Sequence, residues 1–154
     1  MIKFELKQEI PTLDEYKRLR SEVGWNLVDD QSIIQGLNAS TYSILAMMGE
    51  RAIGMGRVVG DGGIFSLIVD IIVTPEFQGR GVGKAIVQNI MDWIKINCAI
   101  ESTVWLFAVE GREGFYEKFG FKRRPMEGYG AGMQWFWGTN RHLFGGTLIR
   151  KMLY

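Results

Sequence analysis

The chain has 154 residues, 47% of them hydrophobic, which suits one domain with a sizeable core. Its formal net charge of +1 gives no electrostatic reason to expect nucleic acid or an anionic membrane as a partner, so we expect a small ligand. No apolar run reaches the roughly 18–20 residues of a membrane span, and the N-terminus lacks the apolar core of a signal peptide. The single cysteine, Cys98, excludes an internal disulfide, and these features together favour the cytoplasm.

The first predicted elements are a strand and two helices. Apolar and charged residues alternate over residues 2–7, as in a strand with one solvated face. Thr12 can cap a first helix whose apolar residues recur at helical spacing as far as Val23. A second, short helix should run from about Asp29 to Leu37 and be capped by an aspartate.

Three strands in series follow, at residues 41–48, 52–59 and 63–74. These segments are rich in β-branched and apolar residues and are separated by glycine turns, which predicts an antiparallel meander. A long helix from Gly81 to about Asn97 comes next. Its apolar stripe should pack on the sheet.

The last predicted elements are a buried strand over residues 102–109, a short helix over residues 112–119 and a final strand over residues 133–137. Residues 124–132 have the composition of a loop. The element order therefore predicts a mixed α/β (α+β) fold. We expect a mostly antiparallel sheet of about six or seven strands and about four helices.

The most informative segment spans residues 73–85, where an apolar strand ends in a proline turn and a glycine-rich loop opens the long helix. Glycines at Gly79, Gly81 and Gly83 remove side chains that would keep a phosphate away from the backbone N–H groups. The helix N-terminus adds its unpaired donors and its positive dipole end. This arrangement predicts a pyrophosphate site.

Two common classes of pyrophosphate loop do not fit these residues. A Walker loop requires a glycine where Gln78 stands and a Ser or Thr where Ala85 stands, so nothing here would ligate magnesium. A dinucleotide fingerprint needs its third glycine where Lys84 stands and usually follows its strand without a proline turn. Kinases, GTPases and NAD- or FAD-binding proteins are therefore disfavoured.

What remains is the pattern Val-x-Pro-x-x-Gln-Gly-x-Gly-x-Gly from Val73 to Gly83, which resembles the acetyl-coenzyme A loop of the GNAT superfamily of N-acetyltransferases. The segment Gly-Phe-Tyr-Glu-Lys-Phe-Gly-Phe from Gly114 to Phe121 is similar to the family's tyrosine-bearing signature. The pattern is nearest to bacterial small-amine and plant arylalkylamine acetyltransferases. The resemblance covers residues 1–137 as an N-acetyltransferase domain.

Residues 138–154 lie outside this resemblance. We expect a C-terminal tail that is dispensable for the chemistry, because both signatures are complete before it begins. Its apolar residues would suit docking on a second copy of the chain in a homodimer, and a disordered extension is the alternative.

The resemblance implies acetyl-CoA as cosubstrate, bound along a splayed strand and the adjoining loop. In the family, the splayed strand frees backbone groups that pair with the pantetheine arm, and by position this role falls on Ile71, Ile72 and Val73. The residues expected to hold the pyrophosphate are those of the loop: Gln78, Gly79, Arg80, Gly81, Val82, Gly83 and Lys84.

Acetyl transfer requires a neutral amine, a polarised carbonyl and a proton for the departing thiolate. The family motif implies that Tyr116 lies at the coenzyme and protonates its thiolate, and that a backbone N–H at or next to Val73 polarises the carbonyl. Asp70 is the first candidate for the base, because a carboxylate in an apolar strand is costly unless it meets a partner or water. A structural hydrogen bond is the alternative role for Asp70. Glu110 is the second candidate, and many relatives use ordered water.

The expected acceptor is the primary amine of a small molecule, near Trp25, Asp70 and Met133. The alternatives are acetylation of a protein or peptide, and a regulator that binds acyl-CoA without turnover. The sole histidine, His142, lies beyond the matched region and is not expected to act as the base. We expect no metal, since the sequence has neither paired cysteines nor clustered carboxylates.

Overall fold

A computed structural model describes residues 2–135 of the chain. The chain divides into two compact units, one covering residues 1–107 and the other beginning at Ala108. Among the described residues, the first unit carries a β-sheet and three α-helices, and the second carries one short α-helix. Residues 138–154 lie outside the described range, so the predictions for the tail, including its docking in a homodimer, stay predictions.

The sheet has five strands among residues 2–135, in the order β1-β2-β3-β4-β5. The first four strands pair antiparallel, and β5 pairs parallel with β4. The predicted meander and the mixed character of the sheet are therefore confirmed. The strand bounds are β1 Glu5–Lys7, β2 Tyr42–Met48, β3 Arg51–Gly60, β4 Phe65–Val73 and β5 Thr103–Leu106.

The prediction of six or seven strands is wrong for the described residues, and so is the buried strand at residues 102–109. Residues 133–135 form no strand, and Met133 is 93% exposed. Residues 136–137 lie outside the described range. The strand at 102–109 shortens to β5, whose Trp105 is 49% exposed. An apolar run by itself does not distinguish a buried strand from an exposed segment, which is why both predictions failed.

Four helices were predicted, and four α-helices lie among residues 2–135: α1 Leu13–Glu22, α2 Asp30–Asn38, α3 Val82–Asn97 and α4 Glu113–Glu117. The predicted cap of α1 is a full capping box, since Glu15 N–H donates to Thr12 Oγ1 (3.2 Å) and Thr12 N–H donates to Glu15 Oε2 (2.8 Å). Asp29 caps α2 by accepting from Ser32 N–H at 2.9 Å. No helix in the described part of the chain is long and apolar enough to cross a bilayer.

Helices α1 and α2 cover one face of the sheet. Leu19 of α1 and Ile33 of α2 belong to the same buried cluster as Met55 of β3 and Ile72 of β4. Because successive strand residues point to opposite faces, the neighbours of Met55 point away from α1 and α2. The centre of the sheet is therefore buried on the α1 side by large aliphatic side chains.

Helix α3 covers the other face at Gly54 and Gly56 of β3. A Cβ on Gly56 would lie 2.7 Å from Ile86 Cγ2 and 2.8 Å from Ile90 Cδ1, both on α3. The absence of side chains at these two positions is what lets α3 lie close to the strand. Because α3 begins directly after β4 and its turn, this packing also fixes where the glycine-rich loop emerges.

Candidate active site

Strand β4 keeps its full pairing for only half of its length. It pairs with β5 from Phe65 to Ile68, and no pairing with β5 follows within the described residues. Pairing with β3 continues as far as Val73. Residues 69–73 thus have one backbone edge that β5 does not use, which is what the predicted splayed strand requires.

Val73 directs its backbone groups to that edge. Thr74 N–H donates to the Ile53 carbonyl at 2.9 Å, and in an antiparallel ladder the N–H and C=O of the adjacent residue, here Val73, point the other way. The Val73 carbonyl accepts from Gln78 Nε2 at 3.0 Å, which ties the loop to the end of the strand. The Val73 N–H is therefore the donor that this end of β4 can present to a ligand carbonyl.

The loop runs into an open helix N-terminus. One 3₁₀ turn, Pro75–Phe77, precedes it, and Phe77 anchors it with 4% exposure. Helix α3 has Gly81 at its N-cap, no side-chain cap, and its first internal bond from Ala85 N–H to the Gly81 carbonyl (3.0 Å). The N–H groups at positions 82–84 have no partner within the helix, and the dipole of this 16-residue helix adds positive potential. Such an end is suited to bind a phosphate.

The loop glycines Gly79 and Gly81 have φ of +72° and +88°, the left-handed region that favours glycine. A Cβ at either position would meet no atom within 4 Å. Because no side chain within residues 2–135 packs against them, these glycines allow the turn of the backbone and leave it accessible. Arg80 and Lys84 are exposed beside them, and the Arg80 guanidinium lies 5.9 Å from the Phe77 ring centre.

Asp70 lies at an irregularity of β4. The register with β3 shifts between Met55 and Arg57, so that Asp70 and Ile71 together stand opposite Gly56. This is a β-bulge, and Asp70 has φ +51°, which is unusual for a residue other than glycine. Its side chain is 7% exposed.

The Asp70 carboxylate accepts hydrogen bonds from three side chains. Arg20 Nη1 donates to Oδ1 at 2.7 Å, and Arg57 Nε donates to Oδ2 at 2.8 Å. Arg57 Nη2 lies 2.7 Å from the same oxygen as an ion-pair contact. The Tyr16 hydroxyl lies 3.3 Å from Oδ2, and burial together with the Asp70 charge raises the pKa of Tyr16. The partner that a buried carboxylate needs is therefore present, and these contacts favour a structural role over a free base.

Arg20 connects this cluster to the segment after α1. Its Nε and Nη2 donate to the Asn26 carbonyl at 3.0 and 2.8 Å. Its guanidinium lies 5.2 Å from the Trp25 ring centre and 5.5 Å from that of Tyr16, within the range of cation–π attraction. Trp25, which we predicted to line the acceptor site, is thus held against Arg20.

Tyr116 lies on α4 in the second unit, among aromatic rings. Its ring meets Phe115 edge to face at 4.9 Å and Phe121 at 6.3 Å between centres. Burial raises the pKa of the Tyr116 phenol above its ordinary value of 10.0. The phenol therefore keeps its proton at neutral pH, which is the state that a general acid needs.

The profile of the acetyltransferase (GNAT) domain family matches residues 39–123, which include β4, the glycine-rich loop, α3 and α4. The chain belongs to the GNAT acetyltransferase family. It is an acyltransferase, as the names of its relatives and structural neighbours agree.

Two curated relatives illustrate the likeness. The uncharacterized N-acetyltransferase ycf52 of Pyropia yezoensis is 30% identical over 128 residues, which are 80% of this chain and 71% of that protein. The chloroplastic GCN5-related N-acetyltransferase 2 of Arabidopsis thaliana is 34% identical over 87 residues, or 56% of this chain and 32% of that protein. The shorter match to the second protein relates only part of it to this chain.

Solved structures of other proteins share this fold. A protein of unknown function from meticillin-resistant Staphylococcus aureus, described as a probable acetyltransferase, superposes with a TM-score of 0.79 at 33% identity. The match covers 88% of this chain and all of that one. A GNAT family acetyltransferase from Streptococcus pneumoniae gives a TM-score of 0.73 at 28% identity, with 87% and 98% covered.

The remaining predicted site residues are divided between the two units. Met133 and Glu110 belong to the second unit and are exposed, whereas Trp25 and Asp70 belong to the first. Within residues 2–135, no three His, Cys, Asp or Glu side chains are grouped so that they could hold a metal ion.

Sequence reasoning missed Arg20 and Arg57, the two charged partners of Asp70. A signal for Arg57 was present, since a hairpin turning near Gly63 places residue 57 opposite residue 69, next to Asp70. Two opposite charges embedded in adjacent apolar strands therefore indicated an ion pair. No such register argument was available for Arg20, because it comes from a helix on the far side of a loop.

Proposed function

We propose that this GNAT acetyltransferase transfers the acetyl group of acetyl-CoA to the primary amine of a small molecule by direct attack. The observation that carries the proposal is an uncapped helix N-terminus directly after a strand edge that β5 leaves at Ile68. An anion site and an extended backbone edge, joined by one short loop, suit a ligand with a pyrophosphate at one end and an amide-rich arm at the other.

Different groups of the protein bind different parts of the coenzyme in this proposal. The backbone N–H groups from Gly79 to Lys84 bind the pyrophosphate, and Arg80 and Lys84 add positive charge beside it. The backbone edge of Ile71–Val73 pairs with the pantetheine arm. The Val73 N–H donates to the thioester carbonyl oxygen and so favours the negative charge that develops there.

The chemistry is one acyl transfer. The amine nitrogen forms a bond to the acetyl carbon, the carbon–sulfur bond breaks, and the phenolic proton of Tyr116 passes to the departing thiolate sulfur. The extra proton on the attacking nitrogen passes to water, and water returns a proton to the Tyr116 phenolate. Water is preferred to Asp70 as the base, because Arg20 and Arg57 already occupy both carboxylate oxygens.

A protein acceptor is the second candidate. It is favoured by one relative, named histone acetyltransferase TAP1 from Glycine max, which is 33% identical over 87 residues, or 56% of this chain and 34% of that protein. A small amine is preferred, since a net charge of +1 provides no field to attract a lysine-rich peptide.

Release of free thiol from acetyl-CoA tests the proposal. The full chain is incubated with a panel of small aromatic and aliphatic amines and, in parallel, with lysine-containing and free N-terminal peptides. Faster thiol release with one or more small amines supports the proposal. Faster release with peptides alone assigns a protein acceptor, and tight acetyl-CoA binding without release by any acceptor indicates a regulator.

A further inference from the structure

Strand β4 changes its role at Asp70. Residues 66–68 pair with β3 on one side and β5 on the other, whereas within the described part of the chain Ile72 and Val73 pair with β3 alone. Between the two halves lies the bulge, with Asp70 at φ +51°. An aspartate enters this left-handed region less readily than glycine, so something must hold it there.

Two guanidiniums from different elements hold it. We name Arg20, Arg57 and Asp70 the Asp70 clamp: Arg20 comes from α1 and Arg57 from β3, and the three side chains are 21%, 11% and 7% exposed. Two nitrogens of the planar Arg57 guanidinium face Oδ2, Nε as a hydrogen-bond donor at 2.8 Å and Nη2 as an ion-pair contact at 2.7 Å. A planar group held in this way fixes direction as well as distance.

The clamp is itself anchored. Arg57 Nη1 donates to Ser40 Oγ (2.7 Å) and to the Gly36 carbonyl at the end of α2 (3.2 Å). Arg20 holds the Asn26 carbonyl after α1. The bulge of β4 is therefore connected through two side chains to both helices on this face of the sheet.

We propose that the Asp70 clamp is a positioning device: Arg20 and Arg57 hold the β4 bulge so that the backbone edge of Ile71–Val73 is set for coenzyme binding. The assignment of that edge to the coenzyme rests on the proposed function. Asp70 acts through the strand and is a positioning residue, with no proton transfer of its own.

Three substitutions test this proposal. Asp70→Ala removes the clamp and the tolerance of left-handed backbone, whereas Asp70→Asn keeps the shape and the backbone tolerance but loses the charge. Asp92→Asn is the matched control, because Asp92 is an exposed carboxylate on α3 that lies 3.6 Å from Lys95. The readouts are acetyl-CoA affinity by calorimetry and the separate values of kcat and KM.

We expect Asp70→Ala to weaken acetyl-CoA binding and raise its KM by about tenfold, with a smaller change in kcat. The acetyl-CoA affinity and KM of Asp70→Asn should fall between those of Asp70→Ala and the wild type, and those of Asp92→Asn should match the wild type. A folded Asp70→Ala protein with unchanged coenzyme affinity would overturn the proposal. So would a loss confined to kcat, together with loss of the acidic limb of the pH profile, which is the signature of a base.

Arg57→Lys covers the case in which Asp70→Ala does not fold. It keeps a positive charge beside Asp70 but has no planar guanidinium, so it cannot make the Nε hydrogen bond and the anchoring Nη1 bonds together. The same rise in coenzyme KM is therefore expected at reduced size. Unchanged KM in folded Arg57→Lys would also contradict the clamp.

Amide hydrogen exchange of the free protein separates this inference from the proposed function. In Asp70→Asn, exchange should speed up at Ile72 and Thr74, whose N–H groups face β3, and stay unchanged at residues 66–68, whether or not acetyl-CoA binds. A wild-type protein that fails to bind acetyl-CoA would defeat the proposed function and leave this result standing. An equal change in exchange rate in both halves of β4 would contradict the proposed role of the Asp70 clamp.

Discussion

Two pairs of glycines in this chain have different surroundings and different roles. Gly54 and Gly56 in β3 are surrounded by protein, and a Cβ on Gly54 would lie 2.8 Å from the Ile72 carbonyl oxygen. Gly79 and Gly81 in the loop have no atom within 4 Å of such a Cβ, and both have positive φ. The first pair makes room for a helix, and the second leaves the backbone open to a ligand. Substitutions in β3 should therefore change stability, and substitutions in the loop should mainly change coenzyme affinity.

The largest effect on stability is expected from Gly54→Ala. Its new methyl group would meet the backbone of β4 at Ile72, which cannot move aside as a side chain can, so we expect a loss of about 3 kcal/mol in the free energy of unfolding. Urea denaturation measures it. Gly36→Ala is the control, because Gly36 lies exposed in α2 with no atom near its Cβ, and it should instead gain roughly 0.5–1 kcal/mol. Equal stability of the two variants would remove the distinction between buried and open glycines.

The second prediction separates the acetyl-transfer step from coenzyme binding at the glycine-rich loop. Tyr116→Phe should lower turnover about 10²-fold and leave acetyl-CoA affinity unchanged, since it removes a proton donor and keeps the ring. Steady-state kinetics and calorimetry together check this. Tyr129→Phe is the control, because Tyr129 is an exposed tyrosine of the same unit and should behave as wild type. If Tyr116→Phe turns over at the wild-type rate, water supplies the proton.

The same residue predicts a pH dependence. Burial raises the pKa of Tyr116 above 10.0, and the acid is active only in its protonated form. Turnover that depends on Tyr116 should therefore persist below pH 10 and fall as the pH rises through the raised pKa. The kcat–pH profile of wild type should show this basic limb, and the profile of Tyr116→Phe should lack it. A limb common to both proteins would have another origin.

The smallest effect should come from Gly79→Ala. A Cβ finds empty space there, so the only penalty is left-handed backbone, and we expect a loss of about 1 kcal/mol in the free energy of unfolding. Gly79→Asn should lose less, because asparagine tolerates this backbone region. Thermal unfolding compares the two. A loss as large as that of Gly54→Ala would mean that the loop packs against protein after all.

The sequence predicted what depends on short-range pattern. The cap at Thr12, the meander and the loop-to-helix junction at Gly81 all follow from residues close together in the chain, and they were predicted correctly. The resemblance supplied the family, since spacing alone excluded two phosphate loops without naming a third. The predicted number of strands was wrong because a strand forms only where a partner strand pairs with it. Residues 133–135 have the composition of a strand but pair with no described strand.

The contacts of Asp70 could be predicted only in part. An isolated carboxylate in an apolar strand indicated a special environment, and the register of β3 and β4 could have supplied Arg57. The contribution of Arg20 depends on how α1 packs across the sheet, which no local pattern encodes. For the same reason, the sequence could not tell that Gly54 and Gly56 lie under α3, whereas the open surroundings of Gly79 and Gly81 were expected from the phosphate loop.

The central claim is that the loop at Gly79–Lys84 binds the pyrophosphate of acetyl-CoA, and the pair Gly81→Asn and Gly81→Asp tests it most directly. Both side chains tolerate left-handed backbone and have nearly the same shape, so the two variants differ by one negative charge at the helix N-terminus. Calorimetric titration with acetyl-CoA should give an affinity about 30-fold weaker for Gly81→Asp than for Gly81→Asn, since a like charge close to a phosphate in partly solvated surroundings costs roughly 2 kcal/mol. Equal affinities in two folded proteins would contradict the claim and place the pyrophosphate elsewhere.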